Sequence, residues 1–102
     1  MGINVELRDE RGTVLAQVGD PDMVLSRAVT SGALSNTRLL RYLQPWGDAI
    51  FNEAQRPDLS TDIRALVGEN PGSPLGKLLT QVEPLLETMV QEPHVYLWFV
   101  GD

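Results

Sequence analysis

The longest regular pattern in the sequence is an apolar stripe between Pro74 and Gln91, and it decides which layer architectures are open to the chain. Apolar residues recur there every three or four positions, which is the spacing of an amphipathic helix. They are Leu75, Leu78, Leu79, Val82, Leu85, Leu86, Met89 and Val90. Pro84 removes one backbone donor and is expected to bend this helix with its ring towards solvent. A helix with a single long apolar face packs on a second layer, which the rest of the chain must supply.

Alternating apolar and polar residues predict the strands of that second layer. Residues 3–8 and 14–18 alternate with the period of a strand that has one wet face, and the turn between them places Gly12 where a left-handed conformation closes the hairpin. The segments RLLRYL and AIFN, on either side of QPWGD, are interpreted as a second hairpin. The last strand is the run HVYLWFV, residues 94–100, whose nearly continuous apolar character favours a place inside the sheet.

Two further segments have the spacing and the end signals of helices. A short helix is predicted from Pro21 to about Val29, with the Asp20 carboxylate accepting from the N–H groups of its first turn. A longer helix is predicted between Pro57 and Gly68. The order ββαββααβ predicts a single α+β domain, in which two long helices pack on one face of a mostly antiparallel sheet of about five strands.

Composition and charge limit the classes of partner. The chain has no cysteine, so disulfides and thiolate metal sites are excluded, and its charged amino terminus is unlike a signal peptide. We therefore expect a cytoplasmic protein.

Fourteen acidic against eight basic residues give a formal charge of −6, and the arginines are scattered, which disfavours nucleic acid and anionic membranes as partners. An acidic surface is compatible with a basic protein partner, although ordinary solubility explains it as well.

The segment PGSPLGKLL resembles a phosphate-binding loop without meeting its requirements. Three residues instead of four separate Gly72 from Gly76, and Leu78 follows Lys77 where a Ser or Thr would hold magnesium. We interpret the segment as a helix start with Ser73 as its cap. Because no other cofactor motif is present in the sequence, no cofactor is predicted.

Histidine and carboxylate chemistry has few candidates. His94 is the single imidazole, so any histidine acid, base or metal site must use it, although we expect it to bond locally or to reach solvent. Asp58 with Asp62, and Glu83 with Glu87, lie one helical turn apart. We interpret both pairs as solvated helix faces, because a general acid and base would need burial to separate their pKa values.

Three aromatic side chains are candidates for contacts with a partner. Trp46 falls at the tip of the predicted second hairpin, where it either folds back on the strand ends, which we favour, or stands in solvent as an anchor. Tyr96 and Trp98 alternate with the apolar residues of the last strand and share its second face. If no helix or loop covers that face, the aromatic pair is the first place to look for a partner.

Three segments carry a resemblance to other proteins: MGINVELRDERGTVL at the start, WGDAIFN in the middle and HVYLWFVGD at the end. They resemble a group of small bacterial proteins of about this length, in which an aromatic-Gly-Asp turn precedes a Phe-Asn strand end. The resemblance implies no activity. It does imply that Trp46, Gly47, Asp48 and Asn52 do more than form a turn.

Two hypotheses about function follow. The first, which we favour, is a non-catalytic protein-interaction or regulatory module that neutralises a basic partner, as immunity proteins for bacterial toxins do, by analogy. Its candidate contact residues are Trp46, Asp48, Asn52, Tyr96 and Trp98. The alternative is an enzyme or small-ligand binder with a pocket near His94, Asp48 and Asn52, in which His94 acts as acid or base. A homodimer formed through an exposed strand edge is compatible with both.

Overall fold

The computed structural model describes residues 2–101 and has an α+β fold, in which a four-stranded antiparallel sheet packs with three helices. The strands are β1 (Asn4–Asp9), β2 (Val14–Val18), β3 (Asp48–Phe51) and β4 (Val95–Val100). The helices are α1 (Val24–Ser31), α2 (Arg56–Glu69) and α3 (Pro74–Gln91), and two 3₁₀ turns cover Leu40–Tyr42 and Glu53–Gln55. The predicted class is confirmed, with four strands in place of five.

The last strand occupies the interior of the sheet, as its apolar character predicts. The strand order is β2-β1-β4-β3, and every neighbouring pair is antiparallel. Leu97 of β4 lies opposite Leu7 of β1 on one side and Phe51 of β3 on the other. Because β4 joins the first strand to the middle of the chain, both ends of the sequence contribute to one core.

The β1–β2 hairpin has the predicted turn. Gly12 adopts a left-handed backbone conformation with φ of 85°, and its N–H donates to the carbonyl oxygen of Asp9 at 3.0 Å. The Asp9 carboxylate oxygen Oδ1 accepts from the backbone N–H groups of Arg11 and Thr13 at 2.9 and 3.0 Å. This side chain therefore fixes the turn from inside, as aspartate commonly does.

The predicted second hairpin is wrong, because residues 38–43 do not form a strand. They contain a 3₁₀ turn instead, and the two leucines that are fully buried, Leu40 and Leu43, are spaced by three. The backbone N–H groups of Arg38, Leu39 and Leu40 donate to the carboxylate of Asp62 on α2, at 2.8 to 3.2 Å. Donors that are bound in this way do not pair with a neighbouring strand, so within residues 2–101 the strand β3 pairs with β4 alone.

The first helix begins later than predicted. The Asp20 carboxylate accepts from the N–H groups of Val24 and Leu25 at 2.7 and 2.9 Å, so its role as an acceptor for the first turn is confirmed. The helix itself starts at Val24 and not at Pro21, because the N–H of Met23 turns back to the Asp20 carbonyl oxygen and Met23 has a φ of 57°.

Helix α3 confirms the predicted stripe. It is one continuous helix in which Pro84 is exposed, and every member of the stripe is buried except Val90. Ser73 caps it by accepting from the Gly76 N–H at 3.0 Å, and Pro74 is its first residue. The helix packs against β2 and β4, while α1 and α2 pack against it. Among residues 2–101, no helix combines the length and the apolar character that a membrane span requires.

An uncovered aromatic sheet face as the candidate functional site

One face of the sheet is covered by the helices and the other is open, and we call the open side the outer face. In β4 the residues alternate strictly between buried and half-buried, with Tyr96, Trp98 and Val100 on the outer face. Their cross-strand neighbours on this face are Asn4, Glu6 and Arg8 of β1 and Asp48 and Ile50 of β3. Ile50 is 49% exposed. Within residues 2–101, no helix covers Tyr96 and Trp98 on this face. This is the case in which we expect the aromatic pair to contact a partner.

Trp98 is held by a stack of charged side chains that spans two strands. The guanidinium carbon of Arg8 lies 4.1 Å from the centroid of the Trp98 ring, and Arg8 Nε donates to Glu6 Oε1 at 2.8 Å. Glu6 is the cross-strand partner of Trp98, and Arg8 is that of Tyr96. A cation over an indole ring contributes about 0.5–1 kcal/mol at exposed sites. The stack therefore fixes the orientation of the indole on the outer face.

The hairpin that borders this face contains a bulge. Leu7 pairs with Ala16 but Arg8 pairs with Val14, so Leu15 is an extra residue on β2. Such a bulge bends its strand and increases the local twist. The hairpin turn lies beside the start of β4, because Arg8 pairs with Tyr96 and Asp9 with Val95, and it borders a depression on the outer face. The depression has a volume of about 280 Å³ and is lined by Asp9, Glu10, Gly12, Ile50, Tyr96 and Trp98.

The lining of this depression is aromatic and aliphatic on β3 and β4 and acidic at the hairpin turn. Oδ1 of Asp9 is engaged by two backbone amides, and Oδ2 takes no part in those bonds. Glu10 is exposed at the turn. The nearby Arg8 is paired with Glu6, so its charge is locally compensated. The depression therefore offers rings, a methyl-bearing side chain and negative charge to whatever enters it.

Trp46 lies outside this depression, and its indole is 80% exposed. The favoured expectation that it folds back on the strand ends is therefore wrong. The loop around it packs through its backbone: a Cβ atom at Gly101 would lie 2.6 Å from the carbonyl oxygens of both Pro45 and Gly47. Asp48 completes the junction, because its Oδ1 accepts from the Gly101 N–H at 3.2 Å. The loop therefore contacts the end of β4 through its backbone, while the indole of Trp46 stays in solvent.

Asn52 has a local structural role. Its Oδ1 accepts from the Gln55 N–H at 3.2 Å, and the Gln55 side chain accepts from the Asn52 N–H at 2.9 Å. This reciprocal pair is a capping box at the start of the 3₁₀ turn that leads into α2. Capping accounts for the side chain of Asn52, which remains exposed.

Of the residues of the alternative pocket, His94 and Asp48 lie at opposite ends of β4. His94 is exposed, with φ of 58°, and precedes the start of β4, whereas Asp48 pairs with Val100 at its other end. The six residues of β4, Val95–Val100, span about 20 Å. Within residues 2–101, no group of three or more histidine, aspartate or glutamate side chains is placed to hold a metal ion.

The interpretation of Asp62 as a solvated carboxylate is wrong, because this side chain is buried. It is only 3% exposed and serves the three amides of residues 38–40, while Asp58, one turn earlier, pairs with the Arg38 guanidinium at 2.7 Å on the surface. The sequence does contain a signal for this burial. Asp62 is three residues after Leu59 and four before Leu66, and therefore lies within the apolar face of α2.

Two other depressions, of about 360 Å³ each, flank the first turn of α3. Neither is lined by an aromatic side chain. Since aromatic residues are enriched where proteins bind partners, these depressions are weaker candidates than the outer face.

No protein-family model, curated protein or solved structure matches this chain. The resemblance to small bacterial proteins therefore stays a prediction. The function has to be argued from the geometry and charge of the outer face.

Proposed function

We propose that this chain is a non-catalytic interaction module that binds a basic protein partner through the outer face. The observation that carries the proposal is a set of three apolar side chains, the exposed Ile50 and the half-buried Tyr96 and Trp98, next to the acidic residues Asp9 and Glu10. In a regulatory role, a module of this kind neutralises the basic surface that it covers.

The outer face has the composition of an interface centre. Binding energy in protein complexes concentrates in tryptophan, tyrosine and arginine side chains that are surrounded by polar groups. Here Trp98 and Tyr96 occupy the central strand, and Asn4, Asp48 and Gln17 are exposed around them. Because Trp98 is already oriented by its stack, little side-chain entropy is lost when a partner covers it.

Charge selects the partner. The chain carries a formal charge of −6, and the depression on the outer face has an acidic wall. A protein of this charge attracts a basic surface over distances of about one Debye length, roughly 8 Å at physiological salt. Electrostatic complementarity then orients the encounter and rejects acidic competitors.

In the first step of the test, a photoreactive amino acid replaces Ile50 and captures the protein that contacts this position by cross-linking. The control has the same amino acid in place of Val90. Ile50 and Val90 are both exposed aliphatic residues, 49% and 56% exposed, but Val90 is on α3 in the helix layer. The protein captured from position 50 is then purified, and its affinity is measured for Ile50→Lys and Val90→Lys. We expect Ile50→Lys to weaken binding by about tenfold or more, because it buries a charge against a basic surface.

Val90→Lys makes the same change in total charge, and binding by this variant is expected to stay within about threefold of the parent protein. Thermal unfolding of both variants establishes that they remain folded. Equal losses in the two variants, or no loss in Ile50→Lys, would contradict the proposal.

A further inference from the structure

We infer that the depression between the hairpin turn and β4 is a binding site for a single arginine side chain of the partner. The inference rests on the proposed function and names the chemical group that the outer face recognises. The site is lined by the aromatic residues Tyr96 and Trp98, by Ile50, and by the acidic residues Asp9 and Glu10 of the hairpin turn.

The chain already contains one example of this recognition on the neighbouring strands. Arg8 lies over the Trp98 ring at 4.1 Å while a Glu6 oxygen accepts from its Nε at 2.8 Å. An aromatic ring, a guanidinium and a carboxylate are thus combined beside the depression. The depression supplies rings and carboxylates again, and its lining, in the part of the chain that the structure describes, contains no basic side chain.

The size of the depression suits one long side chain. Its volume is about 280 Å³ and it is open to solvent, so one extended side chain can enter it. The methylene groups of the entering side chain would lie against Ile50, and its charged end would reach Glu10.

Arginine fits these groups better than lysine. A guanidinium is planar, stacks on aromatic rings and is more weakly hydrated than an ammonium group, so it loses less on leaving water. It also binds carboxylates through two parallel N–H donors. The nearby cations do not prevent its entry: Arg8 is compensated by Glu6, and the Arg11 side chain does not line the depression.

The experiment uses ¹H–¹⁵N NMR of the whole chain, titrated with the peptide acetyl-Gly-Arg-Gly-amide. The matched probe replaces arginine by citrulline, which has nearly the same shape and no charge. We expect saturable shifts at the Tyr96 and Ile50 amides and at the Trp98 indole, with a dissociation constant of millimolar order, and binding about tenfold weaker for the citrulline peptide.

Two charge variants locate the site. Glu10→Gln removes a carboxylate that lines the depression, and is expected to weaken arginine binding about three- to tenfold. Glu87→Gln removes an exposed carboxylate from α3 and should leave binding unchanged. Equal affinity for the two peptides, shifts spread over the acidic surface, or equal effects of the two variants would overturn the inference.

Failure of this inference is distinguishable from failure of the proposed function. If the arginine peptide does not bind while Ile50→Lys still abolishes binding of the captured partner, the outer face binds its partner by other contacts and only the arginine site is wrong. If the peptide binds as expected but Ile50→Lys and Val90→Lys behave alike towards the captured protein, the arginine site stands and the proposed function is wrong.

Discussion

A single carboxylate holds the segment before β3 on the surface of α2. Asp62 accepts from the backbone N–H groups of Arg38, Leu39 and Leu40, which are partly or fully buried. Without this acceptor, these amides would lose water without gaining a partner, which is costly for each group. The Asp62 carboxylate therefore accepts the backbone hydrogen bonds of residues 38–40, as the carbonyl groups of a neighbouring strand would in a sheet.

Asp62→Ala is expected to lower the free energy of unfolding by about 2–4 kcal/mol, because buried donors are left unsatisfied. The control is Asp58→Ala, which removes the surface partner of Arg38 one turn earlier on the same helix. That variant should cost no more than about 1 kcal/mol, since exposed ion pairs contribute little. Urea denaturation followed by circular dichroism measures both. Similar losses in the two variants would mean that the buried bonds to residues 38–40 are not important for stability.

At the scale of elements, the end of β4 and the loop before β3 are locked together by a close approach of two backbones. Gly101 follows β4 and leaves no room for a Cβ atom next to Pro45 and Gly47, while its N–H donates to Asp48. Two of the segments that carry the resemblance, WGDAIFN and HVYLWFVGD, therefore meet in space. A glycine is needed here for the contact itself and not for an unusual φ angle.

Gly101→Ala is expected to destabilise the fold by about 1–3 kcal/mol, because its methyl group would displace the loop from the end of β4. The matched control is Gly68→Ala on α2, where an added Cβ has nothing within 4 Å. That change should stabilise by up to about 1 kcal/mol, since alanine is the better helix former. Thermal unfolding compares the two variants, and the Trp46 indole NMR signal reports any shift of the loop. Changes of the same sign would be evidence against the close contact.

The elements that the sequence predicts correctly are those in which a long periodic pattern agrees with its end signals. In α3 the stripe, the Ser73 cap and the exposed Pro84 point to the same helix, and in the first hairpin the turn residue Gly12 agrees with the alternation. Residues 38–43 are too short for either period to be decisive, and their backbone donors bind Asp62, which is more than twenty residues away. Local patterns carry no information about such a distant acceptor.

The candidate site was predictable in part. Alternation along β4 places Tyr96 and Trp98 on one face, and the structure has them there. Whether that face is covered depends on the strand order and on where all the helices pack, which are properties of the whole chain. The contribution of Ile50 and of the hairpin turn was missed for the same reason, because the strand order β2-β1-β4-β3 is what places them on either side of β4.

At the scale of the whole molecule, the helix layer packs on the sheet to form the core of the protein, and the outer face is the surface that we propose for recognition. The helix layer buries the apolar stripe and supplies stability, and among the members of that stripe only Val90 is exposed. The outer face leaves aromatic side chains and acidic residues accessible to a partner. A chain that leaves such groups accessible has a surface suited to recognition.

The most direct test of this division is the footprint of the captured partner on the ¹⁵N-labelled chain. Amide and indole signals should broaden or shift at Ile50, Tyr96 and Trp98, and at Glu10 in the hairpin turn, because these groups lose contact with solvent when the outer face is covered. Signals around Val90 on α3 should not change. A footprint centred on the helix layer, with the outer face unchanged, would contradict the account.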